Sequence, residues 1–274
     1  GGGALLVRHN PRLIVIPDRW GVSTTPVHDF FKPRREVSIQ SVIDHVLQLA
    51  AEAGATIRDG MAEAMIKHLP ESTVRRLGIF AHGEENVKVH RDEPVFDGQF
   101  SNRCYREAVK QAFTHFCEKS IAQGRFDPEL DIILTEQWAR IIMHLPYAFQ
   151  AKRMFPDVFR HDRQHLDSWK DIEAEIGNVP LESDFDTEAE FESAMDKYRR
   201  SISKTEAFKQ FVEDRIEKGQ RASSLIGNQY TGSIFLALMS TFEADYEENA
   251  NLDNVTLGLC GYGSGAKAKV FEAE

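Results

Sequence analysis

The chain has 274 residues, 42% of them apolar, enough to bury the core of one large domain or two smaller ones and too many for an overall disordered chain. Its 43 acidic and 33 basic side chains leave a formal net charge of -10, which excludes a broad nucleic-acid-binding face but still allows one local basic pocket. No stretch approaches the roughly 20 apolar residues needed to cross a bilayer, and no charged segment followed by an apolar run opens the chain, so it reads as soluble and cytoplasmic.

In chain order, Ala4 to Val7 and Leu13 to Ile16 are short aliphatic runs separated by His9-Asn10-Pro11, and they predict a hairpin in a buried sheet. A loop carrying Trp20-Gly21 and Pro26 follows. Ile39, Val42, Ile43, Val46, Leu47 and Ala50 then recur at helical spacing behind Ser38, an N-cap residue type, and stop near Gly54. A shorter helix is expected from about Met61 to Leu69, closed by Pro70. Between Ser101 and Gln123 the apolar positions Val109, Ala112, Phe113, Phe116 and Ile121 predict a helix ended at Gly124.

Ile141-Ile142-Met143 is a short apolar run ending at His144, and Pro146 precedes an expected helix over Tyr147 to Phe159, which puts His144 at a strand-to-helix junction. Ala222 to Ile226 reads the same way, with Gly227-Asn228 leading into a helix from about Tyr230 to Tyr246. The segment Asp167 to Asp196 is acidic and poor in apolar residues, as a solvated helical surface insertion would be. Val255 to Cys260, the turn-rich Gly261 to Gly265 and the returning Ala268 to Phe271 predict a closing hairpin. Strands alternating with helices indicate an α/β layered domain.

Cys104, Cys117 and Cys260 are far apart and form no CxxC pair, which indicates free thiols rather than a disulfide framework or a zinc ribbon. The abrupt opening on Gly1-Gly2-Gly3-Ala4 and an equally abrupt close after Phe271 suggest a fragment or one piece of a split enzyme. A helix N-terminus after a buried strand offers free N–H groups and a positive dipole end, which suits the oxyanion of an acyl-transfer intermediate. By itself, though, a lone histidine at an apolar strand end is more often structural. The i, i+4 pair in His161-Asp162-Arg163-Gln164-His165 could hold a metal from one helix face, but no third ligand is near and Asp162 stands where a metalloprotease has glutamate, so a polar helix end is the preferred reading.

The stretch Ile141 to Tyr147 resembles the His-x-Pro-aromatic motif of the 3-hydroxy-3-methylglutaryl-CoA synthases, Asn228-Gln229-Tyr230-Thr231-Gly232-Ser233 resembles their Asn-x-Tyr-Thr-Gly/Ser-Ser segment, and Gly261-Tyr262-Gly263-Ser264-Gly265 resembles their Ser-Tyr-Gly-Ser-Gly turn. His28 to Pro33 is similar to the family's Tyr-Asp-Phe-aromatic-Arg/Lys-Pro, and Phe96 to Ser101 to its Val-Asp-Gly-Lys-x-Ser. The resemblance implies the C-terminal half of a thiolase-like α/β layered fold, a sheet covered by helices, with helical insertions near residues 34–91 and 160–200. It also implies a coenzyme A-dependent condensation of acetyl-CoA with acetoacetyl-CoA, needing no metal or redox cofactor.

In that chemistry a cysteine takes the acetyl group, a glutamate removes a methyl proton and the carbanion attacks the second substrate's ketone. By resemblance His144 meets that ketone as acid and Asn228 orients the acyl chain, while Tyr230, Gly261 and Ser264 line the substrate site and Lys152 and Arg153 are placed to meet coenzyme A phosphates. The cysteine and glutamate belong to an N-terminal half that nothing here resembles, so the isolated chain is expected to be inactive. The implied partners are a cysteine-bearing N-terminal half and, in the complete enzyme, a second copy of itself. Cys104, in the first turn of a helix, matches a non-catalytic family position, and Cys260, beside the glycine turn, is the one cysteine expected to approach the site. Two departures bear on substrate contacts: Gly261 stands where the family commonly has serine, and Phe149 where many members have lysine. The rivals are a polyketide β-branching synthase, in which a carrier protein presents the ketone, and a non-catalytic partner half of a split enzyme.

Overall fold

The computed structural model describes residues 5–31, 34–68, 86–90, 94–126 and 132–274, which divide into two units: Gly1–Asp29 with Gly98–Glu274, and Phe30–Asp97. The larger unit is built on a four-stranded sheet in the order β1 (Trp20–Thr24), β8 (Lys267–Ala273), β7 (Leu257–Gly263) and β6 (Arg140–Met143). β8 runs antiparallel to both β1 and β7, with Trp20 opposite Phe271 and Cys260 opposite Val270. β6 runs parallel to β7, with Met143 opposite Cys260. The closing hairpin therefore forms as expected, although β7 continues through Gly263 and the turn begins at Ser264, with Gly265 at φ +86°.

A 25-residue helix, α3 (Gly98–Ala122), lies on β1 and β8 and buries Tyr105, Ala108, Val109, Ala112, Phe113 and Phe116. Val109, Ala112, Phe113 and Phe116 are buried as their spacing indicates, whereas Ile121, in the last turn, is exposed, and Gly124 beyond the helix end takes φ +68°, the left-handed conformation that closes helices. Two glycines permit close approach. A Cβ on Gly21 would lie 2.2 Å from the Ala112 carbonyl oxygen, and one on Gly258 would lie 2.1 Å from the buried Trp138 ring. The Trp20-Gly21 segment is thus a strand and not the expected loop: glycine and flanking prolines read as loop signals locally, but here the missing side chain lets β1 seat on α3.

The predicted hairpin between Ala4–Val7 and Leu13–Ile16 does not form. Ala4 is outside the described residues, and Leu5 to Val7 and Leu13 to Ile16 take no strand structure, with Leu6 84% and Val7 90% exposed. One backbone pair, between Val15 and Glu274, joins this segment to the chain following β8. Aliphatic runs carry strand propensity but do not name a ladder partner, and propensity without a ladder leaves the backbone in water.

After β6 the expected helix over Tyr147 to Phe159 is two helices, α4 (Gln150–Met154) and α5 (Pro156–Arg163), because Pro156 cannot continue one helix but can open the next. A helical arm follows, comprising α6 (Trp169–Ile176), α7 (Glu188–Ile202) and α8 (Glu206–Arg215). Thr187 and Glu190 form a capping box on α7. The acidic stretch is helical and largely solvated as expected, but Trp169 and Met195 are buried and Ile172, Ile176 and Val179 pack on the core. Ala222 to Ile226 is not a strand. It belongs to helix α9 (Gln220–Ile226), which packs on α10 (Ser233–Glu247) and ends at Gly227, φ +84°. Five small or apolar residues fit either element, and the neighbouring helix decides.

In the smaller unit, Ser38 caps α1 (Ile39–Glu52) by accepting from the Ser41 N–H at 3.0 Å, as its position in the sequence indicates. α2 covers Met61–Lys67, while Leu69 and Pro70 are outside the described residues. β2 (Phe30–Phe31) pairs with β5 (Val95–Phe96), and β3 (Arg34–Ser38) with β4 (Asn86–His90), both antiparallel, so this region is not helical alone. Among the described residues no helix is long and apolar enough to cross a membrane.

Candidate active site

His144 follows directly on β6, and the parallel register carries it alongside Cys260, whose carbonyl accepts the His144 backbone N–H at 2.9 Å. The His144 carbonyl in turn accepts the Tyr105 hydroxyl of α3 at 2.5 Å. The imidazole is fixed from a third direction: Nδ1 lies 2.6 Å from Oγ of Ser233, the first residue of α10, and the same Oγ accepts the Leu145 N–H at 3.2 Å. Among the described residues Nε2 has no hydrogen-bond partner. Burial lowers the His144 pKa from the usual 6.5 to about 4, so the ring is neutral near neutral pH.

His144 stands at the strand end as expected, but a six-residue loop, not a helix start, follows β6. Around it the structure gathers residues from four of the similar stretches. Tyr105 stacks on Tyr262 with ring centroids 4.4 Å apart, and both rings lie within 6.5 Å of the imidazole. The Tyr262 hydroxyl donates to Asp29 Oδ2 at 2.6 Å, and the Gly265 N–H donates to Asp29 Oδ1 at 2.7 Å, so one fully buried carboxylate ties the hairpin turn to the segment after β1. Burial, with Asp29 close by, pushes the Tyr262 phenol well above its ordinary range. Ser233, Tyr105 and Asp29 were not singled out as site residues from the sequence. Ser233 and Asp29 each stand inside a quoted stretch, which is the signal that points to them, whereas nothing local marks Tyr105.

Asn228 is exposed and sits in a helix-to-helix loop, not at the strand-to-helix junction expected. Its Oδ1 accepts the Tyr230 N–H at 2.7 Å, which holds the short turn Tyr230–Gly232 ahead of α10. Tyr230 is 66% exposed with φ +50°. Gly261 lies within β7, and a Cβ there would meet Ile234 and the Lys269 carbonyl at an ordinary 3.8 Å, so a β-carbon fits at this position without a clash. Ser264 is exposed at the turn. Lys152 pairs with Glu217 at 2.5 Å, and the Arg153 guanidinium lies 5.7 Å from the Tyr147 ring centre. Among the described residues no hydrogen bond, ion pair or ring contact joins Asn228, Ser264, Lys152 or Arg153 to His144.

The cysteines are poor nucleophiles as placed. Cys260 is in the middle of β7 and not at a strand end, and burial pushes its thiol up to about 12. Cys104 falls in the second turn of α3, not the first, and burial together with the nearby Asp29 charge raises it. A recess lined by Thr25, Val27, Arg103, Cys104, Glu107 and Ala266 lies at this point and does not include His144. Burial likewise raises Cys117. In the His161 to His165 segment, Asp162 is buried and accepts from the Leu134 and Thr135 N–H groups and the Thr135 hydroxyl, while His161 lies 3.4 Å from the Thr114 hydroxyl. Among the described residues no three His, Cys, Asp or Glu side chains form a metal-ligand set.

The profile of the family described as hydroxymethylglutaryl-coenzyme A synthase C terminal matches residues 88–274. The hydroxymethylglutaryl-CoA synthase of Haloferax volcanii is 30% identical over 184 residues, 67% of this chain and 39% of the relative. The chain thus spans about two fifths of that relative's length. Among solved structures, MvaS in complex with 3-hydroxy-3-methylglutaryl coenzyme A is similar with a TM-score of 0.53 at 21% identity, covering 95% of this chain and 42% of the other. PksG, an HMG-CoA synthase from Bacillus subtilis, is similar with a TM-score of 0.51 at 14% identity, covering 97% and 39%.

Proposed function

The chain belongs to the hydroxymethylglutaryl-coenzyme A synthase family, with the thiolase-like fold of its relatives, and from that premise we propose that it is the half of such an acyltransferase that receives the ketone substrate. The observation that carries the reading is the 2.6 Å contact between His144 and Ser233, which joins two of the similar motifs across 89 residues of sequence. In the proposed reaction a cysteine on the N-terminal half carries the acetyl group as a thioester. A base on that half removes a methyl proton, and the new carbon–carbon bond forms at the ketone carbon of acetoacetyl-CoA. Water then cleaves the thioester. Negative charge grows on the ketone oxygen as its π bond breaks, His144 hydrogen-bonds that oxygen, and the proton the base took from the methyl group returns to it to leave a hydroxyl.

As a neutral imidazole, His144 lends a hydrogen bond without adding a full positive charge to the pocket. Asn228 has its Oδ1 engaged by its own turn, which leaves the amide N–H groups for the acyl chain. This chemistry requires no metal or redox cofactor. Arg153 is better placed than Lys152 to take a coenzyme A phosphate, since Lys152 is already paired with Glu217. A net charge of -10 disfavours broad docking of an acidic carrier protein, so a coenzyme A ester is the preferred form of the ketone substrate. By the same reading the complete enzyme is cytoplasmic and pairs with a second copy of itself.

The test is reconstitution. The purified chain alone should show no condensation of acetyl-CoA with acetoacetyl-CoA, co-expression with a cysteine-bearing N-terminal half should restore it, and His144→Ala should then slow condensation by roughly 10² to 10³ while cysteine acetylation persists. Robust turnover by the isolated chain, abolished by Cys260→Ala, would overturn the proposal.

A further inference from the structure

We propose that Ser233 is the positioning residue of His144: its hydroxyl donates to Nδ1 and so holds the proton of the neutral ring on Nε2, leaving His144 an N–H donor and not a base. The Leu145 backbone can only donate, so it takes one lone pair of Ser233 Oγ. Oγ carries one hydrogen of its own and Ser233 is fully buried, and among the described residues the acceptor within reach is His144 Nδ1 at 2.6 Å.

In the opposite arrangement Nδ1–H donates to Oγ. Both lone pairs of Oγ are then filled and its hydrogen is left buried without an acceptor, which is the costly outcome for a polar group. The proton on Nδ1 would also leave Nε2 a bare lone pair, able to accept but not donate. Which ring nitrogen carries the proton is set by the bond the other one makes, and here that bond comes from the N-terminal residue of α10.

Two further contacts hold the backbone from which the ring projects: the Tyr105 hydroxyl donates to the His144 carbonyl, and the His144 N–H donates to the Cys260 carbonyl. Ser233 therefore acts through His144 and need not touch substrate. The catalytic consequence rests on the reading of His144 given above, whereas the tautomer does not.

The experiment separates the two. Long-range ¹H–¹⁵N correlation spectra of the ¹⁵N-histidine-labelled chain, with His144 assigned by loss of its signals in His144→Gln, report each ring nitrogen directly. The parent should show a single tautomer, with Nδ1 in the unprotonated range and Nε2 in the protonated range. Ser233→Ala should move both nitrogens toward averaged positions, and Ser233→Thr, which keeps the hydroxyl, should restore the parent pattern. A protonated Nδ1 in the parent overturns the proposal, and that spectrum decides it even if Ser233→Ala does not fold. A Ser233→Ala pattern identical to the parent overturns it as well. In the reconstituted enzyme Ser233→Ala should lower the condensation kcat by about 10- to 100-fold, as losing the partner that orients an imidazole typically does, with recovery in Ser233→Thr. If the tautomer is as stated but His144→Ala condenses normally, the catalytic reading fails and the positioning stands.

Discussion

Replacing His144 with glutamine should remove a large part of the acid sensitivity of this domain. In the folded chain burial holds His144 near 4, against the usual 6.5. The unfolded chain therefore binds the proton first as pH falls, and stability is lost from about pH 6.5 downward, with the loss complete below about pH 4. At about 1.4 kcal/mol per pH unit, the full interval corresponds to about 3 kcal/mol. Integrated between pH values near 7.5 and near 5, it amounts to about 2 kcal/mol, a large share of the 5–15 kcal/mol typical of a domain. The assay is urea unfolding of parent and His144→Gln at both pH values, reading the difference of differences so that His161, also lowered by burial, cancels. The parent should lose about 2 kcal/mol more than the variant. Equal losses in the two proteins would show that the ring is not desolvated as the structure has it.

Two further outcomes follow from named contacts. Asn228→Asp keeps the oxygen that accepts the Tyr230 N–H, so it should melt like the parent yet condense poorly in the reconstituted enzyme for want of an N–H donor; parental kinetics would reduce Asn228 to a turn former. Gly258→Ala should cost about 1–3 kcal/mol in denaturant unfolding, because its methyl would sit 2.1 Å from the Trp138 ring and the buried indole cannot move aside cheaply; a change below about 0.5 kcal/mol would show that the strand or ring yields.

Much of the fold was legible where one residue type does one job. Ser38 capping α1, the apolar stripe of α3 ended at Gly124, and the hairpin turned near Gly265 all follow from local chemistry. The misreadings came where a partner decides. Ala222 to Ile226 is helical because α10 lies beside it, Leu13 to Ile16 lacks a ladder beyond Val15, and Gly21 is a strand residue because α3 needs its missing side chain. The candidate site shows the same division. His144 was found as a motif, but its pairing with Ser233 and its suspension from Tyr105 are tertiary facts, invisible in either segment alone.

The strand order has a consequence for how the chain is made. Trp20 pairs with Phe271 and Arg140 with Leu257, and the two innermost strands come from residues 257–273, after every other element of the sheet and its helices. During synthesis β1, packed on α3, and β6, packed on α10, therefore wait until the hairpin of residues 257–273 emerges and slots between them. Such long-range closure is slow and exposes intermediates to aggregation, so the rate at which this domain matures should be governed by insertion of that last hairpin and not by the helices that form before it.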